Sequence, residues 1–170
     1  MWRMPPSNES ESQLKSEIVA LIKSLPERLR GIGGDTSWTK FLKDEMLSLG
    51  RKHGHLVVPN ENEKQWLYDL VWFTNDQDGR LQEVTLVLES EWSTSDDWHI
   101  QEDFEKLLLA KAKLKVFIFQ GHSNNFQRIW LLLHEGIRAF KNQSSDETYI
   151  LAGLKTDAHE FEVQTTPANG

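Results

Sequence analysis

The chain contains no cysteine. That removes disulfide frameworks, thiolate metal sites and cysteine nucleophiles together, and leaves histidine and carboxylates as the only side chains that can ligate a metal. Long apolar runs are also missing: none approaches the ~18 residues a membrane span requires. The opening MWRMPPSNESES lacks the apolar core of a signal peptide, so the expectation is a soluble, cytoplasmic protein without membrane association. Positive charge is scarce, with 19 Lys and Arg against 26 Asp and Glu and a formal charge of −7. The overall field therefore does not attract nucleic acid, and any such role must rest on a local site. No GxSxG elbow is present, and GIGGDT at 31–36 does not match GxGxxG, so it reads as a plain turn.

What the chain does have is a foldable core. Its 170 residues are 38% hydrophobic and include 7 Trp and 8 Phe, a size and composition that suit one domain. Residues 1–12 and 164–170 are polar and aperiodic and read as flexible ends around a single domain over 13–163. Leu14, Ile18, Leu21, Ile22 and Leu25 follow helical spacing as far as Pro26, an N-terminal helical arm. Thr36 or Ser37 can cap a second helix running to about Lys52 and stopped by Gly54. The period then changes to two: HLVV, WLYDLVWF, a TNDQDG hairpin turn and RLQEVTLVLESEW read as three strands. Ser95 or Asp97 can start a helix through about Lys113 that leads into KVFIF. A further amphipathic helix spans about 125–141, and TYILAGL and EFEVQ close the chain. Grouped strands followed by strands alternating with helices predict an α/β mixed sheet flanked by helices.

Charges in core-facing slots mark candidate function, because burial penalises them unless something compensates. On the second strand, alternation puts Asp69 on a face with Leu67, Val71 and Phe73. On the third, Glu89 and Glu91 share one face, roughly 7 Å apart along the strand. Two like charges so placed raise each other's pKa unless a cation sits between them. A solvated outer face accounts for the two glutamates equally well, and a partner arginine or a turn cap accounts for Asp69. Glu45 falls in the stripe set by Trp38, Phe41, Leu42, Met46 and Leu49, where a paired lysine is the alternative to a metal. Lys106 lies on the flank of the helix after the third strand, near its early turns and beside Asp103. Lys111 lies nearer the stripe centre but further from the carboxylates.

Asp69 at the end of WLYD, a hairpin, Glu89 and Glu91 in LVLESEW, then DFEKLL running into KVFIF resemble the PD-(D/E)XK nuclease superfamily over roughly residues 37–120. The resemblance implies the restriction-endonuclease-like fold, whose αβββαβ core is a helix, three strands, a helix and a fourth strand. It implies Asp69 and Glu89 as ligands of Mg²⁺ or Mn²⁺, with Glu45 as the helix carboxylate completing the metal site. The family's strand lysine position holds Glu91. Either Lys106 supplies the ammonium from the following helix, with Glu91 helping to hold the metal or orient the lysine, or the site no longer cuts. The first case implies a metal-dependent nuclease acting on DNA, which a chain of charge −7 grips weakly unless a protein partner or a homodimer assists. The second implies an inactive nuclease-fold protein serving as an interaction module or a subunit of a larger assembly.

Other chemistries have less support. His53 and His55 form H-x-H without an HExxH or a matching partner, and His134–Glu135 lacks a second histidine at ligand spacing. Trp66, Trp72 and Trp130 fall at core positions, where packing explains them better than base stacking.

Overall fold

A computed structural model describes residues 8–31, 34–59, 66–92 and 97–168. Apolar stripes and strands assemble into three layers, helices on both faces of one sheet. The first helix, α1, covers Asn8–Arg28 and α2 covers Asp35–Lys52; three strands follow, β1 (Leu56–Val58), β2 (Leu70–Asn75) and β3 (Leu81–Glu91). Then come α3 (Asp97–Leu109), β4 (Leu114–Gly121), α4 (Phe126–Ala139), β5 (Thr148–Lys155) and β6 (Glu160–Pro167). The expected α/β class with a mixed sheet, an N-terminal helix and the order helix, three strands, helix, strand is thus present from α2 to β4. Among the described residues no helix is long and apolar enough to cross a membrane.

The strands lie in sequential order β1 to β6: antiparallel through β3, parallel across β3, β4 and β5, then antiparallel to β6. Because β3, β4 and β5 step across the sheet in one direction, crossovers of one hand put α3 and α4 on the same face. There Phe104, Leu107, Ile129 and Leu133 bury Val87, Phe117 and Leu151. The opposite face, with Trp72, Leu86, Leu88, Val116 and Ile150, is covered by α1 and α2. Alternation along each strand assigns these residues to their faces, as the period of two requires.

Several boundaries differ from expectation. The segment read as a flexible start is already helical from Asn8, and α1 continues through Pro26. Proline inside a helix costs ~3 kcal/mol, but the arm buries Leu14, Ile18, Ile22, Leu25 and Leu29, each worth about 1.5–3 kcal/mol. Burial wins, and the Leu29 N–H still reaches the Leu25 carbonyl at 2.9 Å across the proline. The C-terminal stretch read as flexible from residue 164 is strand to Pro167, since Gln164 to Pro167 pair with Leu151 to Thr148. Helix α2 starts at Asp35 with Gly34 as its cap at φ 95°, where glycine is at ease, and not at Thr36 or Ser37. Helix α3 ends at Leu109, so Lys111 is outside it and exposed. Ser95, the other expected cap, lies outside the described residues. The hairpin at Asp76–Gly79 forms as read: Asp76 N–H donates to Arg80 O at 2.8 Å, and Gly79 takes φ 80°.

Candidate functional site

Strand β3 aims Glu89 at the α3 face, beside Val87 and in register with Phe117 of β4. It is 3% exposed, the most deeply buried acid described. Helix α3 starts near the end of β3, so its middle turns reach back over the strand. Lys106 Nζ lies 3.4 Å from Glu89 Oε1 and 2.7 Å from Asp103 Oδ1. The first contact is an ion pair without hydrogen-bond geometry, and Glu89 Oε1 has no hydrogen-bond partner. Burial, reinforced by the Asp69 carboxylate, pushes the Glu89 pKa up to about 7; Lys106 pulls it down and Asp103 adds to the rise. For Lys106, burial alone favours loss of its proton, but Asp103 and Glu89 outweigh it and the pKa is raised. Tyr68 belongs to the same cluster: burial and then the Glu89 charge raise its phenol pKa, against the opposing Lys106.

Asp69 comes to this region by a route that alternation misplaces. Within WLYDLVWF the strand β2 begins only at Leu70, so Asp69 sits in the bend that precedes β2 and no strand face governs its side chain. Its Oδ2 accepts hydrogen bonds from the Ser90 N–H and the Ser90 hydroxyl, both at 2.9 Å, and its Oδ1 accepts one from Lys43 Nζ at 2.9 Å. The approach of α2 explains Lys43. Gly50 packs so tightly on the Trp72 indole that an added Cβ would lie 2.6 Å from Nε1. Seven residues back along the helix, at ~1.5 Å each, matches three back along the strand at ~3.3 Å each, which brings Lys43 level with Asp69.

Glu45 does not join them. It pairs with Arg28 of α1 at 2.8 Å, because the arm crosses α2 and supplies a guanidinium that the stripe argument left out. Lys106 thus pairs with Glu89, and Asp69 is near enough to repel Glu89 but is itself held by Ser90 and Lys43; Glu45 stands apart, which corrects its assignment as the helix carboxylate of a metal site. Glu91 is half-buried at the end of β3 in register with Phe119. The H-x-H pair is accounted for by packing. His53 Nε2 contacts Glu17 Oε2 at 3.2 Å, and His55 stacks on Trp72 with centroids 5.6 Å apart.

Sequence reasoning missed Lys43, Ser90 and a second buried charge. Lys115 is fully buried beneath α3, donating to Glu147 Oε2 at 2.8 Å and to the Leu108 carbonyl at 3.1 Å. Burial lowers its pKa and Glu147 opposes the fall. One charge inside LKVFIF was the available signal, since a lysine in a run of buried strand must find a partner.

Among the described residues no group of three or more His, Asp or Glu side chains is placed to share a metal ion. Of the two carboxylates, Glu89 offers a hard divalent cation an oxygen without a hydrogen bond, whereas both Asp69 oxygens are engaged by Lys43 and Ser90. Mg²⁺ is commonly held by one or two carboxylates together with water and substrate phosphate, and Glu89 has a buried oxygen without a hydrogen bond while Asp69 repels it. No family model matches the chain, and no curated protein or solved structure matches it either.

Proposed function

We propose that this protein is a metal-dependent nuclease that hydrolyses phosphodiester bonds in DNA, with Asp69 and Glu89 holding Mg²⁺ or Mn²⁺ and Lys106 as the cationic partner. The carrying observation is Glu89: a buried carboxylate, its pKa raised to about 7, with Lys106 3.4 Å away and an oxygen lacking a hydrogen bond. The resemblance of the D…ExE pattern to PD-(D/E)XK nucleases supports the same reading. A bound divalent cation would supply Lewis acidity and make its water more acidic. Ser90 fixes the Asp69 carboxylate through two hydrogen bonds, so one ligand is oriented before any cation arrives. Asp103 holds Lys106 at the mouth of the site, where its ammonium offsets charge developing on a phosphate. Tyr68 is near enough for the Glu89 and Lys106 charges to act on its phenol, whose pKa is raised.

One observation favours a second reading. Lys43 sits on Asp69 at 2.9 Å, and Glu91 stands where the family's strand lysine would be, an arrangement suited to a non-catalytic interaction module or an assembly subunit. Calorimetric titration with Mn²⁺ and a plasmid cleavage assay separate the two. The nuclease reading expects Mn²⁺ to bind and raise the melting temperature, Glu89→Gln to abolish both effects, and Lys106→Ala to lower turnover by about 10² or more while Mn²⁺ still binds. Absence of both Mn²⁺ binding and cleavage supports the module.

A further inference from the structure

The carboxyl ends of the parallel strands β3, β4 and β5 open onto a cleft of about 870 Å³, bounded by the last turns of α1, the start of α2 and the turn between β5 and β6. We propose that this cleft binds a nucleobase that is unpaired or extruded from its stack; the inference stands apart from the nuclease reading.

The cleft's lining argues for a planar, uncharged occupant. Trp38 stands edge-on to Trp92 at 6.1 Å and 6.5 Å from Phe161. Trp92 and Phe161 are 7% and 5% exposed, whereas Trp38 is half-buried, so Trp38 is the ring with surface left to cover. Charges in the lining balance, Lys23 and Arg30 against Glu27 and Glu160. A balanced rim disfavours a polyphosphate, yet it offers the donors and acceptors that the edge of a base requires, while the aromatic wall offers stacking.

The cleft and Glu89 lie on opposite faces of the sheet. Trp92 follows Glu89 by three residues, so alternation sends the two side chains to different faces, and Trp92 packs with the α1 and α2 residues. A stacked duplex base cannot enter, because its faces are already covered.

The test follows the tryptophan indole N–H resonances of the ¹⁵N-labelled full chain in EDTA, titrated with adenosine, thymidine and a short oligo(dT). The expected result is movement of the Trp38 and Trp92 resonances, with those of Trp72 and Trp130 unmoved. Trp38→Leu should weaken nucleoside binding about tenfold or more, the scale of one lost stacking contact. Since Trp38 also packs on the core, Ala158→Trp serves as the second variant: residue 158 is an exposed turn position, and a large side chain there fills the cleft without entering the core. Glu89→Gln should bind nucleosides as the parent does. No shift at Trp38 and Trp92, or undiminished binding by Ala158→Trp, overturns the proposal. Cleavage without nucleoside binding overturns the cleft alone, whereas nucleoside binding without cleavage keeps the cleft and overturns the nuclease reading.

Discussion

Glu89 is stabilising or costly depending on its proton. Its pKa in the folded chain is about 7 against an ordinary 4.5, so between those values the folded state binds the proton more tightly than the unfolded state. Stability therefore falls as pH rises through that window, and above about pH 7 the buried charge costs its full amount, about 3 kcal/mol at ~1.4 kcal/mol per pKa unit. Glu89→Gln removes the charge and keeps the shape. Urea unfolding should find this variant more stable than the parent at pH 8 and nearly equal to it at pH 4.5; a variant less stable at pH 8 would mean that the Lys106 pair outweighs the burial penalty. The sequence made Glu89 and Lys106 legible, because strand alternation and helix spacing fix which way each points. Asp69 was legible as an acid near the site but not in its contacts, since the strand begins one residue after it and alternation does not apply.

At the scale of elements, α2 is set by the close approach of Gly50 to Trp72, and that seating brings Lys43 to Asp69. Gly50→Ala would put a methyl group into the indole, which has little room to move within the core between α2 and β2. The expected loss is about 1–3 kcal/mol, the range for overpacking, read as a lower urea midpoint with an unchanged m-value. A protein as stable as the parent would mean that α2 can shift, and that Lys43 is not held in register with Asp69. Periodicity predicted helix α2 and its buried stripe, but not which helix would lie across it. The stripe argument put Glu45 in a core-facing slot, whereas it is half-buried, and its partner, Arg28, comes from an arm whose crossing no local spacing encodes.

For the whole molecule, a charge of −7 sets the terms of any contact with DNA. On the nuclease reading, phosphates meet the Lys106 ammonium and little other positive field. One such contact predicts that DNA affinity falls only about three- to fourfold between 50 and 200 mM salt; a fall of a thousandfold or more, measured by fluorescence anisotropy, would reveal an extended basic surface that the charge count does not suggest. What the sequence by itself determined is the layered α/β class, the order of elements and the direction of side chains within each, because the periods of 3.6 and 2 are properties of a local stretch of chain. Only the tertiary structure decided which charges meet: Arg28 with Glu45, Lys43 with Asp69, Lys115 with Glu147, and the aromatic cleft where α1 closes over the strand ends. Those meetings depend on the distance and angle at which separate elements pack, and that is settled by the volumes of residues such as Gly50 and Trp72 far from the charges they bring together.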